Sequence, residues 1–109
     1  MEKREYILCA ANHYDDGIEH VHQPKNIKTG FVICGQRHHN CIYTFSLIQK
    51  DVNREDTVKL MRSEVQGFLT NTNRFVNRKS AELIAVDAGQ VVKENLHHQL
   101  IGLFSEDLY

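Results

Sequence analysis

The chain has almost no net charge. Thirteen Lys and Arg against fourteen Asp and Glu leave −1 with histidine neutral. That balance excludes a general DNA- or RNA-binding surface, whose affinity grows with unpaired Lys and Arg. Long apolar runs are also missing. The longest, Tyr6 to Ala11, has six residues, against the ~20 that a membrane-spanning helix needs. The opening Met1-Glu2-Lys3-Arg4-Glu5 mixes both charge signs before that run, unlike a secretory signal. A cytoplasmic protein with no membrane contact is expected. Proline occurs once and glycine six times, which argues against disorder and fibrous repeats. The three cysteines, Cys9, Cys34 and Cys41, contain no CxxC pair, and in a reducing compartment they read as buried thiols. A Gly-rich phosphate loop, an HExxH pair and internal repeats are absent as well, so the common catalytic signatures do not apply.

What remains is a globular composition in 109 residues, enough for one domain, 1–109, and no second. A domain of this size buries roughly 65% of its unfolded-chain surface and needs no metal or disulfide staple.

Along the chain, Tyr6 to Ala11 is a run of strand formers. It ends at an Asp16-Gly17 turn signal, and Ile18 to Gln23 then alternates, which predicts a hairpin. Pro24 closes that second strand. Thr29-Gly30 opens a further strand, Phe31 to Cys34, ending at Gly35. From His38 the period becomes helical, with Cys41, Ile42, Phe45, Ile48 and Gln49 in one stripe. Lys50 to Ser63 reads as a charged loop with a short helix over 56–61. Val65 to Thr70 and Arg74 to Val76 flank Asn71-Thr72-Asn73 as a hairpin. Asn77 caps a helix from Arg78 to Ala88, ended by Gly89. Leu100 to Phe104 reads as a last strand and Ser105 to Tyr109 as a tail. The sum is an α+β domain, an antiparallel sheet decorated by two main helices.

Two polar clusters stand out. Arg37-His38-His39-Asn40 lies between Cys34 and Cys41. Zinc is one reading of it, but the spacing fits no usual ligand pattern. Catalysis by a histidine base is another. Filling a strand-to-helix turn, with no further role, is a third. The second cluster is Arg74-Phe75-Val76-Asn77-Arg78-Lys79. Here Phe75 suits a core position and the cations a solvated helix start. Yet basic residues at a helix N-terminus oppose the macrodipole. Arg78 and Lys79 in the first turn of one helix and Arg37 just before the other repeat that misplacement, and amides plus an Arg fork suit a phosphate. An aromatic beside them could stack on a base. The ligand implied is a nucleotide.

The order His-Val-His-Gln-Pro-Lys-Asn (20–26), Gly-Phe-Val-Ile-Cys-Gly (30–35), Arg-His-His-Asn-Cys-Ile (37–42), Gln-Gly-Phe-Leu-Thr-Asn-Thr-Asn-Arg-Phe-Val-Asn-Arg (66–78) and Ser-Glu-Asp-Leu-Tyr (105–109) resembles the phage anti-Thoeris sponges, the first type of Thoeris anti-defence protein. That resemblance implies a non-enzymatic protein that sequesters cyclic ADP-ribose isomers in the host bacterial cytoplasm, with some members also binding cyclic oligonucleotides. It implies a homodimer or a multiple of one, with ligand pockets between subunits and no cofactor. Arg37, Arg74 and Arg78 would then hold the pyrophosphate, Phe75 would stack on adenine, and Asp107 would contact ribose or base, with His38 and His39 completing the set. The alternatives are a small phage nucleotide hydrolase or nuclease using His38 and His39, and a protein-binding inhibitor with no small ligand.

Overall fold

The computed structural model describes residues 4–108. Four strands form one antiparallel sheet: β1 (Ile7–Tyr14), β2 (Phe31–Gly35), β3 (Val65–Thr70) and β4 (Phe75–Asn77), in the order β2-β1-β3-β4. Helices α1 (His38–Ile48), α2 (Arg54–Met61), α3 (Arg78–Asp87) and the short α4 (Ser105–Leu108) complete the chain. The α+β expectation holds. Tyr109 of the expected tail and residues 1–3 of the chain start lie outside the described residues.

The expected hairpin over 6–23 is not there. β1 continues through Asn12-His13-Tyr14 and pairs with Phe31–Gly35 instead. Two features override the Asp-Gly signal. Asn12 and Tyr14 are fully buried, so the strand gains core contacts by extending. The carboxylates of Asp15 and Asp16 accept from the amides of Gly17 and Ile18, so they close local turns rather than a strand reversal. Residues 15–30 become a loop that reaches both sheet edges. Gln23 accepts from the outward amide of Val32 on β2 at 2.9 Å. Asn26 pairs with Phe75 on β4, donating to its carbonyl at 2.6 Å and accepting from its amide at 2.8 Å. Two side-chain amides thus satisfy edge groups that would otherwise invite another strand.

The expected strand over 100–104 is also absent. Leu100 is 92% exposed, and Gly102 and Leu103 turn into the start of α3. Gly102 has φ +126, and a Cβ there would lie 2.6 Å from the Arg78 carbonyl, so only glycine lets the segment approach this closely. The Leu103 amide then donates to the Arg78 carbonyl at 3.0 Å. With both edges engaged by the 15–30 loop, the segment packs on α3 rather than joining the sheet.

The remaining elements follow the sequence closely. Asn53 caps α2 by accepting from Asp56 N, and Asn77 caps α3 by accepting from Ser80 N. Asn73, at φ 62, completes the β3–β4 turn. The α1 stripe is narrower than its sequence suggests: His38, Cys41 and Phe45 are buried, while Ile42 and Ile48 are exposed. The core occupies one sheet face in two clusters. Ile7, Ala10, Phe68 and Val76 pack against Ala81, Ala85, Leu96 and Leu103. Tyr14 and Ile33 pack against Cys41 and Phe45, with the Tyr14 and Phe45 rings stacked at 4.1 Å.

The bridge from Asn26 to β4 generates a stability prediction. Asn26→Ala strands a backbone donor and acceptor at Phe75, a loss of roughly 1–3 kcal/mol. Thermal melting should show a lower midpoint, and light scattering should show more aggregation through the opened edge. An unchanged melt would mean that the 15–30 loop does not guard that edge.

Candidate functional site

A polar seam crosses the sheet between the two apolar clusters. Its floor comes from strand alternation. Asn12 lies between Ala10 and Tyr14 on β1, and its register partner on β3 is Gln66. The Tyr14 hydroxyl donates to Glu64 at 2.6 Å. Gln66 donates to the other Glu64 oxygen at 3.2 Å and accepts from Arg78 Nη2 at 2.8 Å. Arg78 Nη1 donates to the Leu103 carbonyl at 2.9 Å, and the guanidinium lies 3.9 Å over the Phe104 ring. The His98 ring lies against Phe104, tilted at 45° with centroids 4.2 Å apart.

His38 enters the same seam from the first turn of α1. Its Nε2–H donates to the Gly67 carbonyl at 2.8 Å, which makes Nδ1 the acceptor, facing Arg78 Nη2 at 3.5 Å. The ring meets Phe68 edge-on. Burial lowers its pKa and the neighbouring Arg78 charge adds to that, outweighing the opposing pull of the Gly67 carbonyl. The imidazole is therefore neutral and held at both nitrogens. Arg37, the residue before α1, approaches Glu106 of α4 at 4.0 Å. Burial pulls the Arg78 pKa down, while Glu106 and Asp107 push it back up.

The structure thus brings Arg37, His38 and Arg78 together where α1 and α3 both begin. Neither helix has an acidic residue in its first turn, so the two positive helix ends are complemented from elsewhere. Near Arg37 that anion is Glu106.

The other candidate residues lie apart from this group. His39 is exposed on the outer side of α1. Arg74 forms a two-pronged pair with Glu5, Nε to Oε2 at 2.8 Å and Nη2 to Oε1 at 2.6 Å. Phe75 is 9% exposed. Alternation puts it on the sheet face opposite Val76, where its ring edge sits over Gly67 and near the His13 ring. Asp107 has a side chain 1% exposed. It accepts from the His97 amide and ring Nδ1 and from the Phe104 amide. Burial would raise its pKa, but these hydrogen bonds hold it below the ordinary carboxylate value. Cys34 and Cys41 do not converge on the histidines: Cys41 is buried and Cys34 is exposed. Among the described residues, no group of three or more His, Cys, Asp or Glu is arranged to hold a metal ion.

Tyr14, Glu64, Gln66 and Phe104 line the seam and were not singled out from sequence. A signal existed for two of them. Glu64 and Gln66 share the period-2 register of buried Phe68, so polar side chains occupy a core-facing row. Nothing local marks Phe104. A separate concavity of about 620 Å³ between the Asp15–Gly17 turn and α2 sets Asp15, Asp16 and Asp56 against Lys59. Its charge disfavours an anionic ligand.

A four-stranded antiparallel sheet with helices on one face defines a small α+β domain. The family described as Phage T4 y16D protein matches residues 6–109, and the chain belongs to that phage protein family. No match was found among curated proteins or solved structures. No helix among the described residues is long and apolar enough to cross a membrane.

The Glu5–Arg74 pair generates a pH prediction. The Arg74 hydrogen bonds, with those of Thr72 and Thr70, hold Glu5 down to about 2. Its contribution to stability is complete above the unfolded value near ~4.3 and is lost as pH falls towards 2. Because Arg74 is 39% exposed, the pair contributes only about 1 kcal/mol. Glu5→Gln should lower the melting temperature at pH 7 and flatten the acid limb of the stability profile. An unchanged acid limb would show that another carboxylate controls it.

Proposed function

We propose that this phage protein is a non-enzymatic sponge for a small nucleotide of the cyclic ADP-ribose class, acting in the host cytoplasm against Thoeris signalling. The observation that carries the reading is the convergence of Arg37 and Arg78 at two adjoining helix starts beside an aromatic, Phe104. Two fixed guanidinium groups and two sets of first-turn amides match a pyrophosphate. The exposed His98 ring beside Phe104 offers a planar surface for a base. Binding is favoured over hydrolysis because both His38 nitrogens are engaged inside the protein, which leaves that ring no free lone pair to take a proton. Arg74 and Phe75 serve the fold in this reading, since their groups are committed to Glu5 and to Gly67.

Self-association completes the proposal. Helix α1 contains no Asp, Glu, Lys or Arg, and Ile42, Tyr43, Leu47 and Ile48 are exposed on it. Pairing of two copies would bury these side chains. Light scattering should report a dimer or a multiple of one, and a 12.6 kDa monomer at micromolar concentration would remove any pocket between subunits.

The functional test is ligand capture. The protein is incubated with cyclic ADP-ribose isomers, freed of unbound ligand and heat-denatured. Intact nucleotide should be released; altered nucleotide would indicate an enzyme, and none would indicate a protein-binding inhibitor. In calorimetric titration, Arg37→Ala and Arg78→Lys should each weaken binding by roughly ten- to a hundredfold. Arg74→Ala should lower stability and leave affinity unchanged. Wild-type affinity in folded Arg37→Ala and Arg78→Lys variants would put the ligand elsewhere.

A further inference from the structure

Face alternation places Cys9 and Cys34 on the side of the sheet away from the two core clusters. On β1, Ala10 packs in the core beside Phe68, so Cys9 and Ala11 point the opposite way. Ala11 pairs with Cys34, and Ala10 with Gly35. Cys9 and Cys34 are therefore diagonal neighbours on adjacent antiparallel strands. The two thiols lie close enough to influence each other's titration, and the Gly35 amide acts on Cys9 as well. Cys34 is exposed and Cys9 half-buried, so a small solute reaches the pair.

We propose that Cys9 and Cys34 are a redox modification site, which a peroxide closes to an intramolecular disulfide and a small thiol such as glutathione reopens. The Cys9 thiolate displaces hydroxide from the peroxide and becomes a sulfenic acid. The Cys34 sulfur then attacks the Cys9 sulfur, its proton leaves with the departing hydroxyl as water, and the S–S bond forms. Two thiols are oxidised and one peroxide is reduced to two waters. Two glutathione thiols reverse the exchange and leave as their own disulfide.

The chemistry divides the cysteines cleanly. Cys34 and the Gly35 amide lower the Cys9 pKa, outweighing its burial, which favours the thiolate on Cys9 over Cys34. Burial pushes Cys41 up to about 11, and its thiol donates to carbonyl oxygens of Ala10 and Arg37. That cysteine is inert packing. The strands also bear on reversibility. Diagonal partners stand farther apart than directly opposite ones, so closing the bridge strains the backbone and makes the bond easier to reduce. β2 runs from Cys34 through Gly35 into Arg37, so the pair sits three residues from the arginine seam. The modification itself stands independently of the nucleotide reading.

Intact-mass measurement after hydrogen peroxide treatment tests this. The wild type should lose the mass of two hydrogens, and its free thiols should fall from three to one. Peptide mapping should recover a Cys9–Cys34 link, and glutathione should restore the starting mass. Cys41→Ala should behave like the wild type, while Cys9→Ser and Cys34→Ser should not show the loss. A link involving Cys41, a covalent dimer, stepwise oxygen addition without loss of hydrogen, or no reaction would overturn the proposal. Mapping of the wild type keeps the test valid even if a variant fails to fold.

Discussion

The Arg78 guanidinium is half-buried among β3, α1 and the C-terminal segment, and a charged group partly removed from water needs partners on the sides that face the protein. Gln66, the Leu103 carbonyl, His38 Nδ1 and the Phe104 ring meet that demand. Each of these partners fixes a different element. Gln66 holds the position of Glu64 and, through it, the Tyr14 hydroxyl. His38 ties the start of α1 to the β3 backbone. Leu103 and Phe104 hold the final segment against α3. Removing the charge would release three elements at once, which is why the conservative Arg78→Lys replacement is the informative probe.

The same demand explains why the core is divided. An all-apolar face would have merged the two clusters into one. Instead Asn12, Gln66 and His38 cross it, at the cost of desolvating polar groups that must then find partners inside the protein. The division leaves α1 and α3 starting at a common place with their positive ends together. Glu106 supplies a carboxylate there, yet its distance of 4.0 Å from Arg37 is a loose ion pair rather than a tight fork.

Both sheet edges depend on one loop. Gln23 and Asn26 are three residues apart in a stretch without regular structure, and each supplies a side-chain amide to a different edge strand. Among the described residues, no helix covers the face carrying Cys9 and Cys34, while residues 15–30 close part of it near His13, whose Nε2 donates to the Thr29 carbonyl at 2.9 Å.

The sequence by itself determined the α+β class, strands β2 to β4 and helices α1 to α3, because their signals are local: side-chain period, Asn caps and the Asn71–Asn73 turn. It also marked Arg37 and Arg78 as anomalous, since opposition to a helix dipole is read within a single turn. Tertiary structure decided the rest. Asp16-Gly17 carries a strong hairpin signal, but burial of Asn12 and Tyr14 drew β1 past it. Leu100 to Phe104 has strand composition, but no free edge remained to pair with it. Arg74 and Arg78 look equivalent along the chain. Folding gave the first to Glu5, sixty-nine residues away, and carried the second to a histidine forty residues away. Contacts across such separations depend on how the sheet closes and leave no trace in the spacing of neighbouring residues.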